Sequence, residues 1–280
     1  MNTSLTAVKR DYFSIAMKVL IRAASALTSF LILYIVGFIF LKGIPNLNVG
    51  LFQWEYTSEN VSLMPALINT ILMTAISMTF AVPIGIFTAI FLAEYAKRGN
   101  KFVKFIRMAA ETLSGIPSIV YGIFGMVFFV IALGWRYSLL AGALTMAIMI
   151  LPLIMRTTEE ALLSVPDAYR EGSYGLGAGK LRTVFSISLP AAVPGILGGV
   201  ILAIGRVVGE TAALIYTAGT LARVAQSPMD SARTLSVHLF RLSGEALHIN
   251  EAYATAVVLI LLVLVINALS ALIARKISRF

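Results

Sequence analysis

EGSYGLGAGKLRTVFSISLP, residues Glu171 to Pro190, is a polar connection set between two apolar runs that are each long enough to cross a bilayer. If those runs are spans, the stretch is a loop on one membrane face and the chain threads the membrane several times. Composition agrees: hydrophobic residues are 59% of the 280 and charged residues 12%, with a mean hydropathy of +0.91. A soluble domain carries about a quarter charged residues. Outward from the loop, six charge-free stretches approach or exceed the roughly 20 residues needed to span hydrocarbon. They are Ala23–Leu41, Val61–Ala93, Thr112–Trp135, Tyr137–Met155, Thr183–Gly205 with its continuation, and Ala252–Ala274. Barrel strands would alternate in polarity over about ten residues, and these runs do not. The expected fold class is therefore all-α, a polytopic membrane protein of six transmembrane helices with both termini on one side.

Basic residues assign that side. Lys9, Arg10, Lys18 and Arg22 precede the first span, and Lys97, Arg98, Lys101, Lys104 and Arg107 fill the second connection. Arg156, Arg170, Lys180 and Arg182 lie in the fourth connection, and Arg275, Lys276 and Arg279 in the tail. Only Lys42, Arg136, Arg223, Arg233 and Arg241 fall on the opposite side, so sixteen of twenty-one flanking cations face one way. By the positive-inside rule that way is cytoplasmic, which puts the Glu171–Pro190 loop and both termini in the cytoplasm of a cell-membrane protein. The net charge of +9 follows from the same asymmetry and implies no nucleic-acid partner. Cysteine is absent, which rules out disulfides, thiolate metal sites and a cysteine nucleophile. The first apolar run is longer than a signal core and lacks a small-x-small site after it, so a retained anchor is expected. The connection over 218–251 contains Pro228 and Gly244 and is too short for a core of its own; short helices lying on the outer face are expected there.

The loop carries a spaced pattern: Glu171, two small residues Gly172 and Ser173, three residues, Gly177, nine residues, then Ile187, Leu189 and Pro190. It resembles the E-A-A, G, I-x-L-P loop of bacterial ABC importer permeases of the binding-protein-dependent class. That resemblance implies the type I permease fold and a short helix that docks into a groove of a cytoplasmic ATPase. Gly172 and Ser173 replace the two alanines; both remain small, and the glycine weakens the helix.

Prolines interrupt the spans at Pro83, Pro117, Pro152 and Pro194, each freeing a backbone carbonyl that must find a partner or line a wet cavity. Leu113 to Gly125 holds three glycines, two serines and a tyrosine, more than a kink requires. In the fifth span, Gly195/Gly199 and Gly205/Gly209 are small-xxx-small pairs that admit a close neighbour, a helix or subunit interface. Arg206 lies about 24 Å along the helix from Pro190, inside the membrane or at its outer interface. Four residues on, Glu210 is placed on the same helical face, where the two can pair. Either they neutralise one another, or Arg206 offers its planar donors to an oxyanion in the translocation path with Glu210 orienting it. Arg156 is either a positive-inside anchor, a second stop for the anion, or a contact that senses ATPase closure. Glu94 and Glu111 are expected to pair with Lys97, Arg98 or Arg107.

The words around Ile116-Pro117-Ser118, Arg156-Thr157-Thr158-Glu159-Glu160 and Gly205-Arg206-Val207-Val208-Gly209-Glu210-Thr211 make residues 60 to 275 resemble the A-type permease subunits of phosphate-specific ABC importers. The resemblance implies inorganic phosphate as substrate. It also implies three partners: a homologous second permease, a dimer of ATP-binding subunits and an extracytoplasmic phosphate-binding protein. No G-x-x-x-x-G-K-[ST] loop and no H-E-x-x-H motif occurs, so ATP is expected on the partner and no enzyme activity on this chain. Expected organisation is a cytoplasmic segment 1–22, a first helix and outer loop 23–60, a permease core 61–275 with its coupling loop at about 156–190, and a tail 276–280. Permeases for sulfate, molybdate or an amino acid would share the loop. A secondary transporter would need no nucleotide, and no inverted repeat points to one.

Overall fold

The computed structural model describes residues 3–97, 99–245 and 248–277, and among them every regular element is helical. Five helices have the length and apolarity of a span, and a pair of helices bent by 102° meets the same test only when the two are taken together. Helix α1 (Thr3–Gly43) is a single helix running through residue 22. It stands apart from the core and exposes Phe30, Leu33 and Tyr34 along its length. Its contact is with α11 (Ile249–Ile277), where Phe38 meets Tyr253 edge-on at 5.9 Å.

Three helices make the centre: α2 (Met64–Ile90), α5 (Leu139–Leu163) and α8 (Leu189–Val208). Met73, Ala81, Met146, Ile150, Ile154, Ala203 and Val207 are buried among them. Helices already in hydrocarbon gain no hydrophobic energy by meeting, so close packing has to hold them. Small residues supply it. A Cβ added at Gly195 would lie 2.7 Å from Ala161 Cβ, and one at Gly199 would lie 2.6 Å from Thr157 Cβ. The Gly195/Gly199 pair is thus an internal seam between α8 and α5. Gly205 has nothing within 4 Å and faces away from the chain.

The third expected span, Thr112–Trp135, is not one helix. Residues 101–114 form α3 (Lys101–Ser114), and the chain turns by 102° before α4 (Ser118–Gly125) and a π-helical continuation, Met126–Ala132. Pro117 is the cause: it lacks the N–H that would bond the Leu113 carbonyl and pushes Ile116 out of helical geometry. The freed Leu113 carbonyl accepts from the Tyr121 hydroxyl at 2.7 Å, which holds the bend. The fourth span also differs, because α5 runs on past Met155 and places Arg156 within a helix.

At the end of the bundle opposite the 171–190 loop, the connection after α8 lies only partly on the surface: 226–229 are exposed, but the stretch 232–238 is buried. It forms α9 (Ala212–Thr217) and α10 (Leu235–Glu245), and Ala232, Leu235 and Val237 are fully buried. Asn69 and Thr70 in α2 bond its backbone, which draws the segment between the spans. The tail expected over 276–280 lies largely outside the described residues, as does Arg98.

Candidate coupling and translocation sites

The loop that opened the reading folds as α6 (Asp167–Gly175), α7 (Lys180–Thr183), a π-helical turn (Val184–Ser188) and the start of α8. Pro166 fixes the entry to α6. Its exit is set by Gly177, whose φ of +82° is left-handed. The Gly177 amide donates to Tyr174 O at 2.9 Å and the Ala178 amide to Ser173 O at 3.1 Å, the paired bonds of a Schellman stop. A side chain at Gly177 would strain that stop, which is why the pattern needs glycine there. Gly172 touches nothing within 4 Å, so its smallness serves no contact inside the chain. Ser173, beside it, bonds Thr183 at 2.8 Å and ties α6 to α7.

No residue of α6 is fully buried, and Tyr169, Tyr174 and Leu176 project, Leu176 at 91% exposure. Tyr169, Gly172, Ser173 and Leu176 line an open groove with Arg182 and Ile187. Leu189 is half-buried, and Glu171 and Pro190 are exposed. An exposed helix that presents two tyrosines and a leucine from a rigid mount is suited to press against another protein.

The mount was not visible in the sequence. Arg170 points back from α6 and donates from Nε and Nη2 to Glu94 Oε1 at 3.0 and 2.9 Å. Its Nη2 also reaches Leu162 O and its Nη1 reaches Val165 O, each at 2.8 Å, and Asp167 completes the set at 3.1 Å. The bond to Glu94 holds the guanidinium pKa above its ordinary value, outweighing partial burial. Glu94 therefore pairs with neither Lys97 nor Arg107. Arg107 instead donates from Nε to Glu159 at 2.8 Å, and Glu111 lies 4.0 Å from Arg156. Arg156 also faces Glu160 at 3.5 Å and stays more than half exposed at the α6 end of the bundle, so it is no part of the α8 tip.

At the other end of α8, Arg206 and Glu210 do not share a helix. The helix stops at Val208, and the Glu210 carboxylate turns forward to accept from the Ala213 amide at 3.2 Å, capping α9. Gly209 breaks the helical register that i,i+4 pairing needs. Among the described residues Arg206 pairs with no carboxylate; it is exposed and interacts electrostatically with Tyr121 of α4. Gly122 makes that proximity possible, since a Cβ there would lie 2.7 Å from Ala213 Cα. The glycine- and serine-rich segment thus packs on α9, just beyond the end of α8.

Nearby, Arg233 and His238 form a buried cluster that sequence reading passed over. Arg233 donates to Thr220 O at 2.8 Å and lies over the Tyr56 ring at 5.3 Å. Burial, and then the Arg233 charge, push the His238 pKa down to about 4, so the imidazole is neutral at ordinary pH. No group of three or more metal-ligating side chains occurs among the described residues.

A family model described as "Binding-protein-dependent transport system inner membrane component" matches residues 81–279. The probable ABC transporter permease protein YqgI of Bacillus subtilis (strain 168) is 36% identical over 265 residues, covering 87% of this chain and 88% of that protein. The phosphate transport system permease protein PstA 1 of Mycobacterium tuberculosis (strain CDC 1551 / Oshkosh) is 38% identical over 154 residues, 55% of this chain and 50% of that one. Among solved structures, a chain of the bacterial alginate ABC transporter in complex with an alginate pentasaccharide-bound periplasmic protein superposes with a TM-score of 0.68. It covers 98% of this chain and 97% of that one at 18% identity, a likeness of fold.

Proposed function

Because the chain belongs to the family of binding-protein-dependent transport system inner membrane components and is an ABC permease subunit, we propose that it translocates inorganic phosphate, with Arg206 as the group that meets the anion. The observation that carries the reading is an exposed guanidinium at the tip of a span that pairs with no carboxylate among the described residues. An ionisable side chain at the membrane end of a span marks a functional site, and a recurring anionic visitor accounts for its place. The phosphate permease among its relatives, and the resemblance of the words around Arg206 to phosphate permeases, support phosphate over other oxyanions. Glu210 acts by capping α9, so it positions the wall beside the arginine and does not orient the arginine itself.

In this reading the α6 end is cytoplasmic, and α6 seats Tyr169, Tyr174 and Leu176 in a groove of an ATP-binding subunit. A homologous second permease covers the open face around Gly205 and Arg206, and an extracytoplasmic binding protein delivers phosphate at the α10 end. Closure of the ATPase dimer moves α6, and the Arg170–Glu94 joint passes the motion to α2. The cavity must attract phosphate without a deep well, since tight binding would slow release.

Arg206→Gln is expected to abolish ATP-driven uptake of radiolabelled phosphate, while the subunits still co-purify. Uptake at the wild-type rate overturns the assignment. Loss of sulfate uptake with phosphate unaffected would move the chain to another anion. Glu171→Lys is expected to leave the permease in the membrane and reduce both ATPase co-purification and uptake. Normal values for both would sink the docking of α6.

A further inference from the structure

At the α6 end of the spans, a cavity of about 780 Å³ opens between the end of α2, the start of α3 and the α6–α7 turn. Five cationic side chains line it against two carboxylates. Both carboxylates, Glu94 and Asp167, are already bonded by Arg170, and Arg107 is paired with Glu159. Lys180 sits over the Tyr95 ring at 4.9 Å. That leaves Lys97 and Lys104 exposed, with no hydrogen bond or ion pair from either side chain to any described residue. The first turn of α3 adds the positive end of its dipole, beside Asn100 at the cavity wall.

Helix α3 supplies the second observation. Its 102° bend from α4 lays it across the direction of the spans, so it runs along the membrane surface where the spans end. Around its axis it has three faces. Val103, Ile106 and Ala110 pack inward, Phe102, Phe105 and Met108 are 61%, 59% and 56% exposed, and Lys101, Lys104 and Arg107 form the third face. An exposed aromatic face beside a lysine face is the arrangement of a helix lying in the headgroup layer.

We propose that this cavity binds the phosphate of an anionic glycerophospholipid, with Lys97 and Lys104 holding the phosphate and Phe102 and Phe105 lying against the acyl chains. Basic pockets at helix ends take such headgroups, and each lysine near an anionic surface contributes roughly a fivefold gain in affinity. The site is separate from Arg206, which lies at the other end of α8. It stands whether or not the transported anion is phosphate.

The test uses the full chain, delipidated in detergent and equilibrated with mixed micelles of phosphatidylglycerol or phosphatidylcholine, with retained lipid counted by native mass spectrometry. Phosphatidylglycerol should be retained in preference, and Lys97→Ala with Lys104→Ala should lower its retention roughly fivefold per lysine while phosphatidylcholine is unchanged. Neither lysine side chain bonds another described residue, and Lys104→Gln alone should show the same direction. Lys97→Arg with Lys104→Arg should keep the lipid. Unchanged phosphatidylglycerol in the alanine pair overturns the proposal. So does its displacement by millimolar inorganic phosphate, which would give the cavity to the free ion.

Discussion

Arg170→Met is expected to leave the chain inserted in the membrane but to free α6 from its mount and abolish ATP-driven uptake. The side chain is 14% exposed and its partner Glu94 only 5%. Removing one member of such a pair leaves a buried carboxylate without a counter-charge, a loss of about 3–5 kcal/mol. The Leu162 and Val165 carbonyls lose a donor as well, so the end of α5 loosens together with α6. Arg170→Lys does not rescue it, because an ammonium on a flexible stem cannot serve Glu94 and two carbonyls at once. Adding Glu94→Leu to Arg170→Met should recover much of the thermal stability, since the unpaired charge goes with it, but not the uptake. Protease cleavage within α6 and a thermal melt of each variant measure the two effects. Arg170→Met with wild-type cleavage and uptake would remove the joint from the mechanism. Arg156 is the useful contrast. Its carboxylate partners lie at 3.5 and 4.0 Å and all three side chains are more than half exposed, so screening leaves about 0–1 kcal/mol in play.

How much of this was legible depends on the distance over which each signal acts. The 171–190 pattern could be read because its glycine answers a local demand, a left-handed stop at Gly177, and the spans because their length answers to the bilayer. Arg170 and Glu94 are 76 residues apart, and no periodicity links a charge on a loop to one at the end of another span. Pro117 announced a break, but its size was hidden. A proline kinks or turns a helix according to what satisfies the carbonyl it frees, and here that donor is Tyr121 on the far side of the turn. The Arg206–Glu210 spacing misled for a related reason. Four residues imply one face only while the helix continues, and Gly209, read as half of a packing pair, is where α8 ends. The segment over 218–251 read as surface because it is polar; its inner part is drawn in by polar side chains of α2, above all Asn69, which no periodicity in the sequence links to it.

That asparagine sets the second large effect. Asn69 is fully buried in α2, and its amide donates to Arg223 O at 2.8 Å and Arg233 O at 3.2 Å while its oxygen accepts from the Ala225 amide at 3.0 Å. Leucine has the same branched side-chain skeleton and suits a membrane helix better, so propensity alone would call the change benign. Hydrogen bonding decides otherwise, because Asn69→Leu strands three backbone groups away from water, each at about 1–3 kcal/mol. Asn69→Asp should be no better, since a carboxylate would face the two carbonyls that the amide now satisfies. The expected result is a segment released from between the spans, with α9 and α10 loosened and the wall beside Arg206 lost. The natural chain has no cysteine, so Ala232→Cys, at a fully buried position, gives a clean probe. In the otherwise wild-type chain this thiol should resist a polar maleimide, and with Asn69→Leu it should label readily while uptake falls. A thiol that stays protected in the double variant would mean that the remaining contacts, chiefly the Leu235 amide on Thr70 at 2.8 Å and the Arg233 bond to Thr220 O, hold the segment without Asn69.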